Sequence, residues 1–171
     1  MQNGEIMSRI PEPGEHLGNL YTAEEYANFI LRFEFKLTPG ANNGLGIRSP
    51  LTGDAAYVGI ELQIIEDTHE KWADLQPWQL HGSIYGVTGA EHGYQKPPGQ
   101  WNMQEVVADG RRIRITLNGH EILDVDLDEF SRDVTIDGRD HPGLNRSSGH
   151  IGFLGHGDEV AFRNIEIKPL P

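Results

Sequence analysis

Residues 59–67, GIELQIIED, set Glu61, Gln63 and Glu66 into a run of Ile and Leu. A carboxylate positioned by a strand can take a proton from a substrate, so this stretch is either a plain strand or one that carries chemistry. On a strand through residues 57–66, Gly59, Glu61, Gln63 and Ile65 face one way, and Ile60, Leu62 and Ile64 face the other. The second set is core, so Glu61 and Gln63 project from the opposite face. Glu66 lies five positions from Glu61 and joins it only if a bulge near Ile64 or Ile65 resets the phase. The bland alternative is that all three lie on the solvated face of an antiparallel sheet.

Four other segments bear on that choice. In GLGIR (44–48), Arg48 leaves the sheet opposite Leu45 and Ile47. In LHGSIYG, His81, Ser83 and Tyr85 share one face, and Leu80, Gly82 and Ile84 share the other. GHIGFLGHG puts His156 in phase with Gly152 and Leu154, and KPPGQW (96–101) brings Lys96 and Trp101 on a rigid turn. Together they describe a sheet face that mixes polar, aromatic and small residues. That mixture suits a neutral carbohydrate, which offers hydroxyls to hydrogen-bond and C–H faces to stack on aromatic rings. Metal motifs are weak. EDTHE (66–70) matches no fixed ligand spacing, and DVDLDE (124–129) starts like a calcium loop but lacks its later Gly and Glu. No phosphate-cradling loop or nucleophile elbow is present.

The elements that must position these residues read as strands. FILRFEFKL (29–37) puts Phe29, Leu31, Phe33, Phe35 and Leu37 on one face and Arg32, Glu34 and Lys36 on the other. RRIRITLNGHEILDVD (111–126) reads as a hairpin turning at Asn118-Gly119. GHIGFL (149–154), VAFRNIEIK (160–168) and HGSIYG (81–86) are short and β-branched, and only residues 68–78 suit a helical turn, ended by Pro77. Many short strands without a long helix predict an all-β fold, a two-sheet sandwich or jelly roll.

Composition agrees. A chain of 171 residues fits one domain, and 21 Gly, 10 Pro and an apolar fraction of 37% favour β structure over a helical bundle. With 14 Lys plus Arg against 26 Asp plus Glu, the net charge of −12 is the wrong sign for nucleic acid or an anionic membrane. The absence of Cys removes thiol chemistry and disulfides. No run approaches the roughly 20 apolar residues of a membrane span, and MQNGEIMSRI shows no signal-peptide pattern.

Taken in order, NNGLGIR (42–48), GIELQIIED, HGSIYG, KPPGQWN (96–102), LNG (117–119), GHIGFLGHG (149–157) and FRNIEIKPL (162–170) resemble the 3-keto-disaccharide hydrolase domain family, which is related in fold to concanavalin-like lectins and glucanases. The resemblance spans nearly the whole chain. It implies a single jelly-roll domain over 1–171 made of two curved antiparallel sheets, with the site on the concave face. It also implies a start after the family's first strand, and a periplasmic or secreted location if a signal has been removed. The family pattern is Glu-x-Gln, an aliphatic pair, then Asp; here Glu66 stands in the Asp position and Asp67 follows.

Carried over by position, the resemblance places Arg48, Glu61, Gln63, Glu66, Tyr85 and His156 at the site, Lys96 and Trp101 on a bordering loop, and His81 beside them. The implied chemistry needs no cofactor, with a divalent metal as an alternative electrophile. A 3-keto group acidifies the C2 proton, so a base can eliminate the aglycone from C1, and water then adds back. Glu61 is the candidate base, with Arg48 or His156 on the ketone and Glu66 or Tyr85 on the leaving group. Two rivals stay open. One is a retaining glucanase, whose Glu-x-Asp-x-(x)-Glu pattern with carboxylates about 5 Å apart is imitated with Gln63 in the Asp position. The other is a sugar-binding module without activity.

Overall fold

A computed structural model of the chain describes residues 4–9, 12, 18–130 and 134–171. Its strands are β1 (Ile6–Met7), β2 (Leu20–Tyr21), β3 (Phe29–Leu37), β4 (Asn42–Ser49), β5 (Ile60–Ile65), β6 (Asn102–Asp109), β7 (Arg112–Leu117), β8 (His120–Asp126), β9 (His150–Leu154) and β10 (Val160–Pro169). They form two antiparallel sheets. One is six-stranded in the order β1-β10-β3-β6-β7-β8, and the other is four-stranded in the order β2-β9-β4-β5. The single α-helix among the described residues, α1 (Ala55–Val58), links β4 to β5.

The period-two alternation builds the core. Phe29, Leu31, Phe33, Phe35 and Leu37 of β3 face Leu45 and Ile47 of β4 and Ile60, Leu62 and Ile64 of β5, all buried in one cluster. Each such side chain withdrawn from water contributes about 1.5–3 kcal/mol. Phe153 stacks on Phe162 at 3.8 Å and takes Phe33 edge-on at 5.5 Å, joining β9 to β10 and β3 across the gap. The expected hairpin turn is present between β7 and β8. Asn118 and Gly119 have φ of 51° and 88°, the left-handed pair that a primed two-residue turn requires.

Three local features depart from the sequence reading, each for a backbone reason. Residues 57–58 are not strand but the end of α1, because the Asp54 carboxylate accepts from the Ala56 N–H at 3.1 Å and starts a helical turn. Residues 81–86 do not form a regular strand, since Gly82 takes φ of 79°, and pairing is limited to the Leu62–Ile84 and Ile84–Thr88 bridges. Residues 68–78 hold two 3-10 turns, Glu70–Trp72 and Pro77–Gln79, with Pro77 opening the second.

Arg48 is the fourth and largest departure. Its φ is 49°, and the register of β4 on β9 shifts between Gly46 and Ser49. The extra residue turns the side chain inward, where it is 1% exposed. Its Nε and Nη2 donate to the Ala27 carbonyl at 3.2 and 3.0 Å, and Nη2 donates to Gly110 at 2.7 Å. Ala27 precedes β3 and Gly110 closes the β6–β7 turn, so this guanidinium ties one sheet to the end of the other. It is a structural residue and not the sugar-binding one the alternation suggested. Replacing Arg48 with Met should lower unfolding free energy by about 2–4 kcal/mol in urea titrations, because buried carbonyls lose charged donors.

Candidate active site

The face of the four-stranded sheet turned away from the core is floored by glycine. The register sets Gly46 opposite Glu61 and Gly44 opposite Gln63, and across β9 it sets Gly46 opposite Gly152. A Cβ on Gly44 would overlap the Glu61 carboxylate, so glycine there is what lets that side chain lie flat across the sheet. Glu61 is 5% exposed. Its Oε1 lies 3.3 Å from Nε2 of His156, which follows β9 in phase with Gly152 and Leu154. The hydrogen bond to Glu61 holds the His156 pKa above the ordinary imidazole value; burial opposes this, and the charges of Glu61, Asp54 and Asp158 add to it. The imidazolium form is therefore favoured next to the carboxylate.

Gln63 points the same way and is 4% exposed. Its amide oxygen is buried and has no hydrogen-bond partner in the protein. Tyr85 follows the Leu62–Ile84 bridge; its N–H donates to the Glu61 carbonyl at 3.0 Å, and its ring meets the edge of Trp78 at 5.2 Å. Glu61, Gln63, Tyr85 and His156 are thus brought to one face.

Five expected site residues are not. Along β5 the register with β4 runs without a bulge, so Glu66 keeps the phase of Ile64 and stays off the Glu61 face. One Glu66 oxygen accepts from the Gly40 N–H at 2.8 Å, and the other accepts from the Thr68 N–H and hydroxyl. Burial pushes its pKa up, but those hydrogen bonds outweigh burial and leave it below the ordinary value. Glu66 is a turn cap. Arg48 is spent on the carbonyls described above. Lys96 donates from Nζ to the Trp101 carbonyl, and the Trp101 ring lies under Lys36 and Arg163, with their charged atoms 4.6 and 4.0 Å from its centroid. Lys36 alternates with the core residues of β3, so Trp101 covers the outer face of the six-stranded sheet, across the sandwich from Glu61.

His81 turns into the core because Gly82 breaks the alternation. Its ring packs on Phe35 at 5.1 Å. Nε2 donates to the Gln104 side-chain oxygen at 3.0 Å, and Nδ1 accepts from the Ile65 N–H at 3.4 Å, which fixes a neutral tautomer. Burial lowers its pKa from 6.5 to about 4.

A second cluster adjoins the site and was not picked out from sequence. The first turn of α1 lies over the glycine floor, with the Ala55 methyl 3.5 Å from where a Cβ on Gly46 would stand. The helix delivers Tyr57, whose hydroxyl accepts from Arg139 Nη1 at 2.7 Å and whose ring tilts over His141 at 4.8 Å. His141 Nε2 is 3.2 Å from Asp137 Oδ2, and both side chains are buried. The pair sits against Gly86, where a Cβ would come within 2.6–2.7 Å of both. Asp137, Arg139 and His141 come from a polar loop without periodicity. The dense Asp, Arg and His in DGRDH was the available signal. Among the described residues, no three His, Asp or Glu side chains converge as a cation-binding group. No helix among them is long and apolar enough to cross a membrane.

The two sheets and this face define a galectin-like jelly roll with a buried carboxylate paired to a partly exposed imidazole on its four-stranded sheet. Residues 1–168 match the 3-keto-alpha-glucoside-1,2-lyase-like domain, and the chain belongs to that family. It is 25% identical over 180 residues to a 3-keto-disaccharide hydrolase of Bacteroides thetaiotaomicron, an alignment that takes in 90% of this chain. The chain spans 62% of the length of that relative. The crystal structure of a proposed glycosyl hydrolase from Parabacteroides distasonis is 31% identical, with a TM-score of 0.85 over 99% of this chain and 88% of that one. A Bacillus subtilis protein with a galectin-like fold shares the architecture alone, at 10% identity and a TM-score of 0.51 over 87% of this chain and 76% of that one.

The His81 geometry makes a pH prediction. A folded pKa of about 4 below the free value of 6.5 means that the unfolded chain binds the proton first. Stability contributed by neutral His81 is present above pH 6.5 and is lost as pH falls through about 4, a loss on the order of 3 kcal/mol. Urea titrations across that window should show a steeper decline for the wild type than for His81→Met.

Proposed function

We propose that this chain cleaves 3-keto-glycosides by elimination followed by hydration, with Glu61 as the base that removes the C2 proton and His156 as the cation that polarises the C3 ketone. The observation that carries the reading is the 3.3 Å contact between Glu61 and His156 on the glycine floor. Paired in the free protein, the two groups set a proton acceptor beside a charged donor. A keto sugar set with its C2–C3 edge across them gives the carboxylate a proton to take and the imidazolium an oxygen to serve. The C2–H electrons pass into an enolate, which the imidazolium stabilises where charge develops. Collapse of the enolate breaks the C1–O bond and releases the aglycone as the oxygen leaves. The sugar remains as an enone, and water adding at C1 with a proton returned to C2 completes net hydrolysis.

The names of the family and of the Bacteroides relative, a 1,2-lyase and a 3-keto-disaccharide hydrolase, fit the two halves of that sequence. Gln63 supports it as well, since a neutral amide at this position places no second negative charge beside Glu61. A retaining glucanase needs a second working carboxylate, and Glu66, the residue at the right spacing, has both oxygens committed to Gly40 and Thr68.

The test is product release, followed by mass spectrometry, from 3-keto-trehalose and a 3-keto-glucoside. The unoxidised parents and a β-glucan serve as controls, with and without chelator. The wild type should cleave only the keto sugars, and Glu61→Gln should lower that rate by about 10²–10⁴-fold. Cleavage of the glucan would replace this reading with the glucanase. Silence on every substrate with sugar binding retained would leave a binding module.

A further inference from the structure

The elimination leaves one proton unassigned, the one that the departing aglycone oxygen needs. Glu66 has no free oxygen, which leaves the tyrosines beside the floor. Resting on the elimination reading, we propose that Tyr57 is the catalytic acid for the leaving group, with Arg139 as the positioning residue that directs its proton toward the sugar.

Arginine can only donate hydrogen bonds, so the 2.7 Å contact from Arg139 occupies the oxygen of Tyr57 and leaves the phenolic proton for a third partner. The same contact leaves a cation in place to receive the charge when the proton departs. The loop that carries Arg139 is fixed from below. Asp137 accepts from the Arg139 N–H at 3.0 Å, from the Thr135 hydroxyl at 2.8 Å and, on its other oxygen, from His141 at 3.2 Å. His141 in turn packs on the Tyr57 ring. Gly86, whose lack of a side chain makes room for this pair, is the residue after Tyr85, and Tyr85 is hydrogen-bonded to the Glu61 carbonyl. Tyr57 therefore stands on a different element from the base and is joined to the Glu61 strand through His141, Gly86 and Tyr85. Tyr85 packs its edge against Trp78 instead.

The protons balance. Glu61 takes the C2 proton to form the enolate, and Tyr57 gives its proton to the aglycone oxygen as the C1–O bond breaks. In the second half the phenolate, held by Arg139, takes a proton from the water that attacks C1, and Glu61 returns its proton to C2. Both groups end as they began.

The experiment compares the wild type with Tyr57→Phe, Tyr85→Phe and Arg139→Gln on two substrates. One is 3-keto-trehalose, whose sugar alkoxide needs a proton to leave; the other is 4-nitrophenyl 3-keto-glucoside, whose phenolate does not. Tyr57→Phe should lose about 100-fold on the disaccharide and less than about threefold in nitrophenol release, and Arg139→Gln should lose less in the same pattern. Tyr57→Phe should also release the unsaturated sugar one water lighter than the hydrated product, because its second step lacks a base. Equal losses on both substrates would make Tyr57 structural and overturn the assignment, and so would a leaving-group effect confined to Tyr85→Phe. No effect from either tyrosine would return the proton to Glu61. If the wild type itself cleaves neither keto substrate, the elimination reading fails and takes the assignment with it.

Discussion

Everything at this site depends on keeping a carboxylate out of water on a sheet surface. Glu61 is almost fully buried, and a buried carboxylate without compensation costs several kcal/mol. The compensation is the His156 imidazole, and the two can meet only because nothing stands on the sheet at position 44. A methyl group at that one position would fill the space that the carboxylate uses. The glycines of β4 thus act as an absence of side chain that gives a neighbouring side chain its direction. The core face of the same strands supplies the rigidity: Leu45, Ile47, Leu62 and Ile64 are packed without exposure, so the register that pairs Gly46 with Glu61 cannot slip without turning those residues out of the core.

The same alternation explains what the sequence could tell and where it stopped. FILRFEFKL could be read residue for residue as β3, because its period is unbroken over nine positions and its two faces differ sharply in polarity. The Asn118-Gly119 turn was equally plain, since the turn type demands left-handed residues that few other pairs supply. Glu61, Gln63 and His156 came to a common face because each lies within, or two residues beyond, an unbroken strand. Arg48 and His81 were misplaced by single residues with positive φ, Arg48 itself and Gly82. One such residue re-aims the side chains beside it, and the amino-acid pattern carries little trace of it when the residue is an arginine. Glu66 fails in the opposite sense. A bulge would have been needed to bring it to Glu61, and β5 has none against β4.

Long-range placement was the other limit. Trp101 is an aromatic residue on a Pro-rich turn, which reads naturally as a sugar platform. Its actual neighbours, Lys36 and Arg163, come from strands remote in sequence and belong to the opposite side of the sandwich. Tyr57 was hidden because a four-residue helix has no periodicity to detect, and its partners Asp137, Arg139 and His141 sit in a loop whose position is set by contacts with Gly86 and α1. Side chains on strands were legible through geometry that repeats. Side chains on loops are placed by contacts that do not.

The neutral amide of Gln63 deserves a physical reading in that setting. A second acid beside Glu61 would raise the pKa of the pair and hold a proton between them, which suits a glycosidase that needs one acid and one nucleophile. An elimination needs the reverse, a carboxylate already ionised, with the positive charge placed where the enolate oxygen will form. In the proposed reaction His156 supplies that charge, and Gln63 leaves it undiluted. In a chain with a net charge of −12, the His156 cation beside Glu61 is a local exception. In the proposed elimination it stands where negative charge would develop on the ketone oxygen, so the one positive charge set against this carboxylate is also the one the enolate would need.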